Sequence, residues 1–146
     1  MALFQTQDAK FGKVKTLMGG TNACVIVGDF TVPAGALVND VVELGAVPHA
    51  SRIVDVHVFQ DGVGAGCTAD VGLLSGNYGE ALQSRTCGAE LYSALAIATA
   101  AKAAPTTRNL AAVAASEKAL GFGLKFTGAN PTAGKKITVA LILAST

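Results

Sequence analysis

Arg52-Ile53-Val54-Asp55-Val56-His57-Val58-Phe59-Gln60 alternates apolar and polar side chains with a period of two. That period puts Val54, Val56 and Val58 on one face and Asp55 and His57 on the other, as in a strand with one packed side and one wet side. Lys136 to Leu143 repeats the pattern with Ile137, Val139, Leu141 and Leu143 inward. Gly121 to Thr127 repeats it with Phe122, Leu124 and Phe126 inward against Lys125 and Thr127. Ala23 to Phe30 is apolar on both sides through Cys24, Val25, Ile26 and Val27, which predicts a central strand or one covered by an interface. Asn39 to Gly45 and Ala69 to Leu74 are shorter strand candidates.

Turn chemistry separates these runs: Val32-Pro33-Ala34-Gly35, Val47-Pro48, Asp61-Gly62, Ser75-Gly76-Asn77 and Asn130-Pro131-Thr132-Ala133-Gly134. Seventeen glycines and four prolines fit a chain that turns often, and no strand and helix alternation asks for a parallel sheet. The expected class is an all-β, antiparallel β-sandwich. One region departs from it. Gly88 to Leu120 is dense in alanine, so Thr106 or Thr107 capping a helix that runs to Ala119 is one reading. The other is a strand over Leu91 to Thr99 followed by an alanine-rich loop. Met1 to Asn22 shows no period and reads as an extended arm, leaving residues 23–146 as a single sandwich domain.

The chain has 146 residues, one domain's worth, of which 51% are hydrophobic and only 14% charged. About a quarter charged is usual, so the expectation is that other protein covers part of the surface. No apolar run approaches the length of a spanning helix, and Met1 to Lys10 holds no apolar core of signal-peptide length, so a protein made in the cytoplasm and outside the membrane is expected. Net charge is +1, which argues against general nucleic-acid binding. The charges are nevertheless sorted: Asp29 to Glu90 carries a balance of −6 and the flanks +7. Folding that interleaves the signs explains this, as does contact between complementary neighbours.

Candidate chemistry is sparse. Cys24, Cys67 and Cys87 lack zinc-ligand spacing and read as reduced thiols, with a Cys67–Cys87 bridge as the alternative. Gly62-Val63-Gly64-Ala65-Gly66 follows a strand but leads into another strand, so it reads as a hairpin loop rather than a phosphate cradle. Asp55 lies two residues from His57 and would orient that ring, yet no cysteine is marked as its nucleophile. No catalytic, cofactor or metal residues are assigned, and the chain is not expected to be an enzyme. With no tryptophan and only Tyr78 and Tyr92, sugar platforms and base stacking are disfavoured too.

Val47-Pro48-His49-Ala50-Ser51-Arg52-Ile53-Val54-Asp55-Val56, then Thr68-Ala69-Asp70-Val71-Gly72-Leu73-Leu74-Ser75-Gly76, resembles small structural proteins of tailed bacteriophages. The resemblance extends to the last strand, Ile137 to Leu143, and is to the cement or decoration proteins of icosahedral heads. It implies a jelly-roll sandwich that binds the capsid exterior as a homo-oligomer, dimer or trimer, and stabilises contacts between major capsid subunits. The arm adds an expected contact through Phe4, Lys10, Phe11, Lys13 and Lys15. A receptor-binding or fibre-head module of the virion is the alternative.

Overall fold

The structure is a computed structural model that describes residues 1–12, 23–103 and 116–145. In chain order the elements are β1 (Leu3–Gln5), α1 (Gln7–Lys10), β2 (Ala23–Thr31), β3 (Val41–Val47), β4 (Ser51–Asp61), β5 (Thr68–Leu73), β6 (Tyr92–Ala96), β7 (Ala100–Ala103), β8 (Leu120–Thr127) and β9 (Lys136–Ser145). They form two sheets, ordered β1-β3-β8-β5-β6 and β2-β9-β4-β7. The expected all-β sandwich is what the chain builds. Among the described residues every strand pairing is antiparallel except the short one between β1 and β3, which is parallel.

The core lies between the sheets. Phe122, Leu124 and Phe126 of β8 meet Ile137, Val139, Leu141 and Leu143 of β9, all buried as their alternation demands. Removing side chains of this size from water is worth roughly 1.5–3 kcal/mol each. Tyr92 of β6 reaches across to the other sheet, its hydroxyl donating to the Val56 carbonyl at 3.0 Å.

In β4 the expected inward set is corrected by a bulge. Ile53 pairs with Leu143 and Asp55 with Ile142, so Val54 is an extra residue between two rungs. The inward residues become Ile53, Val56 and Val58, and Val54 is half exposed. A bulge leaves a strand's composition unchanged, so strict alternation misassigns the residues on one side of it.

The outer face of the five-stranded sheet is covered as well. Glu43, Gly123 and Gly72 sit side by side across β3, β8 and β5. With no side chains at two of these positions, the segment after β5 lies directly on the sheet. A Cβ on Gly72 would come 2.5 Å from the Gly88 carbonyl oxygen. Leu74 and Cys87 form a bridge at the base of this loop, and Gly88 and Leu91 donate backbone bonds to Leu73 and Val71.

Two expectations change at the chain's less regular parts. The extended arm is replaced, over its first twelve residues, by structure docked on the sandwich: β1 ladders with β3, and Thr6 caps α1 by accepting from the Ala9 amide. Residues 13–22 of the expected arm lie outside the described residues. In the alanine-rich region, β6 is a strand, in line with the strand reading of Leu91 to Thr99, whereas β7 corrects the loop expected after it, because residues 100–103 ladder with the end of β4. The alternative helix, from Thr106 or Thr107 to Ala119, falls outside the described residues as far as residue 115, and Ser116 to Ala119 is not helical.

Candidate interaction surfaces

Apolar residues that the core does not use gather on the outer face of the four-stranded sheet. Register places Val25, Ile142 and Asp55 in one row across β2, β9 and β4, and Val27, Ala140 and His57 in the next. Val25 is 59% exposed, Val27 46%, Val54 50% and Phe59 41%, so four of the eight large exposed hydrophobics among the described residues share this face. The Asp29 carboxylate closes one end, accepting from the Thr138 hydroxyl and lying 3.5 Å from the Lys136 ammonium. Gathering apolar side chains on one exposed sheet face is how a surface meant for protein contact differs from scattered exposure.

The edge of β2 is a second surface. A shallow groove of about 330 Å³ runs beside it, lined by Val27, Gly28 and Asp29 on one side and Thr6, Gln7, Asp8 and Leu44 on the other. The two sheets are close behind the groove, since a Cβ on Gly28 would lie 2.6 Å from the Leu44 Cβ. β2 stands at the end of its sheet, which corrects the central-strand reading of its two apolar faces.

The loop after β5 is held by a buried ion pair. Arg85 is 2% exposed and Glu43 fully buried, with Nη2 of the one 2.7 Å from Oε1 of the other. The approach is an ion contact without hydrogen-bond geometry at that nitrogen. The rest of the guanidinium is well used, Nε donating to the Ser75 carbonyl at 2.7 Å and Nη1 to the Glu80 carbonyl at 3.1 Å. Gln5 Nε2 donates to the other Glu43 oxygen at 2.7 Å, tying β1 into the same cluster. Beside it, the Tyr78 phenol is pushed up to about 12, first by burial and then by the Glu43 and Asp8 charges.

The expected partner-binding residues do not form one group. Phe4 is half-buried and packs at a tilt against Phe30 with ring centroids 5.9 Å apart. Lys10 and Phe11 are exposed at the end of α1, Phe11 by 70%. Lys13 and Lys15 lie outside the described residues. The apolar sheet face was legible only in part: the two-sided run at Val25 and Val27 signalled it, whereas the bulge that turns Val54 outward left no signal in the sequence.

His57 Nε2 lies 3.2 Å from Asp55 Oδ2 on the same sheet face, so the neighbours named in the sequence do meet. His57 Nδ1 is buried without a hydrogen-bond partner. The thiols are free, and none shows the lowered pKa of a nucleophile. Burial pushes Cys24 and Cys67 up, and pushes Cys87 up to about 12. Among the described residues there is no group of three side chains able to hold a metal ion, and no helix is long and apolar enough to cross a membrane.

No protein-family model matches the sequence, and no curated protein matches it. Among solved structures, the chain is similar to a chain in the capsid of Ralstonia phage GP4. The two are 25% identical and superpose with a TM-score of 0.89 over 99% of each. It is also similar to a chain in the capsid asymmetric unit of cyanophage Pam1, 16% identical, with a TM-score of 0.60 over 92% of this chain and 96% of the other. The second likeness is one of fold.

Proposed function

We propose that this chain is a structural component of a bacteriophage virion that binds the outside of the capsid and strengthens contacts between neighbouring major capsid subunits. The observation that carries the reading is the match to the GP4 capsid chain, because it runs the whole length of both and so likens the complete folded unit. The arrangement of the surface supports the same role. The apolar residues lie on a broad sheet face rather than in a cleft, which suits adhesion over an area and not the enclosure of a small substrate. The exposed end of α1, with Lys10 and Phe11, offers a separate contact on the segment leading to Lys13 and Lys15. Two contacts joined in one molecule act through effective concentration, so each holds the other in place. A shell clamped in this way must break several contacts before it opens.

The test uses phage particles assembled with and without the protein. Particles that contain it are expected to hold their genome to a higher temperature, and antibody against it is expected to label heads evenly. Labelling confined to tail tips, with unchanged heat resistance, would overturn the reading in favour of a fibre-head module.

A further inference from the structure

Among the described strands that end a sheet, β1 has three residues, β6 five and β7 four, while β2 has nine. Its whole length, Ala23–Thr31, ladders with β9 on one side and with no other described strand on the second. Edges this long are normally blunted by proline, lysine or a bulge, because their unpaired amides and carbonyls will accept any strand that comes by. β2 has none of these devices, and Asp29 is its sole charge. The groove beside Val27, Gly28 and Asp29 leaves space between the edge and α1.

We propose that this edge pairs antiparallel with β2 of a second copy, about a two-fold axis at Ile26, so that two four-stranded sheets become one of eight. The proposal rests on reading the chain as a capsid-binding virion component, and adds to it a second copy and the surface that copy uses. An extended edge selects a strand as its partner. A two-fold contact further requires that the strand fit its own reverse. β2 does so. About Ile26, Val25 stands opposite Val27 of the second copy, Cys24 opposite Gly28, and Ala23 opposite Asp29. Apolar cross-strand pairs are favourable, and the one carboxylate faces a methyl group. Its twin lies six residues along, roughly 20 Å away and beyond the screening length at physiological salt. Parallel pairing in register would set the two carboxylates side by side, so charge selects the antiparallel form. The joined sheet also carries Val25, Val27 and Ile142 of both copies on one continuous outer face.

Paired substitutions at two half-exposed positions test the register. V25K/V27K places lysine opposite lysine twice across the proposed axis, whereas V25K/V27E places lysine opposite glutamate twice. By sedimentation from micromolar to millimolar concentration, the wild type is expected to dimerise, V25K/V27K to remain monomeric, and V25K/V27E to dimerise again. Matching circular dichroism and melting curves establish that the variants fold, and amide exchange in β2 of the wild type is expected to slow as concentration rises. A wild type that stays monomeric, a V25K/V27K protein that still dimerises, or a V25K/V27E protein that does not, each overturns the proposal. Particle binding is scored separately: a wild type that occupies capsids as a monomer refutes the strand pairing and leaves the capsid role standing.

Discussion

Glu43 and Arg85 are the residues on which most depends locally. Neither is reached by water, so each charge relies on the other and on the amides and carbonyls around it. Arg85→Ala strands a buried carboxylate, and the expected loss is about 3–5 kcal/mol in urea unfolding. The double variant Glu43→Gln with Arg85→Met is expected to cost less than Arg85→Ala alone, because no unpaired charge remains. A milder loss for the single variant would show that Glu43 finds other partners. Tyr78 and Cys87 give a pH dependence at the alkaline end. Their ordinary values are 10.0 and 9.0, and both are pushed up to about 12 in the fold, chiefly by burial. Unfolding lets each release its proton earlier, so their contribution is complete below the unfolded values and declines as pH rises toward about 12. Urea midpoints measured across this range should fall, and Tyr78→Phe should flatten part of the fall. The same burial predicts that Cys67 and Cys87 resist alkylation at mildly alkaline pH until the protein is unfolded.

At the scale of elements, the glycines of β5 and β8 decide what lies outside the five-stranded sheet. Gly72→Ala pushes a methyl group against the Gly88 backbone, which cannot swing aside as a side chain would. A cost of roughly 1–3 kcal/mol is expected from such overpacking, with faster proteolysis between Leu74 and Leu91. Unchanged cleavage would show that the loop shifts as a unit. β1 carries a second prediction. Its ladder to β3, the Val41 amide bonded to the Ala2 carbonyl, and the Gln5 bond to Glu43 make it part of the sheet. Deleting residues 1–10 is therefore expected to lower the melting temperature markedly, where a free arm would leave it unchanged. The core strands were legible in sequence because alternation follows burial wherever one face is packed and one is wet, as Phe122, Leu124 and Phe126 illustrate. β1 was not, since three residues carry no readable period. The helix alternative from Thr106 or Thr107 to Ala119 followed alanine's local preference, and of its span only Ser116 to Ala119 are described, where the chain is not helical.

For the whole molecule, the scarcity of charge has a spatial answer in the apolar outer face of the four-stranded sheet. Val27→Thr with Val54→Thr lessens the exposed apolar area at two half-exposed positions and keeps a β-branched side chain at each, so folding stability should hardly change. Occupancy on particles is expected to drop. Full occupancy would place the contact elsewhere, with the end of α1 as the next surface to examine. The candidate surface was only half legible: composition announced that something must be covered, but a face made of β2, β9 and β4 brings together residues over a hundred positions apart.

Sequence alone determined the all-β class, the inward residues of β8 and β9, and a surplus of apolar surface, because these follow from period, turn chemistry and composition along the chain. Tertiary structure decided that β2 is an edge, that a bulge turns Val54 outward, that glycines admit a loop onto the sheet, and that Glu43 meets Arg85. Each of these depends on which distant strand lies alongside, and pairing between strands is a property of the folded arrangement that no local pattern encodes.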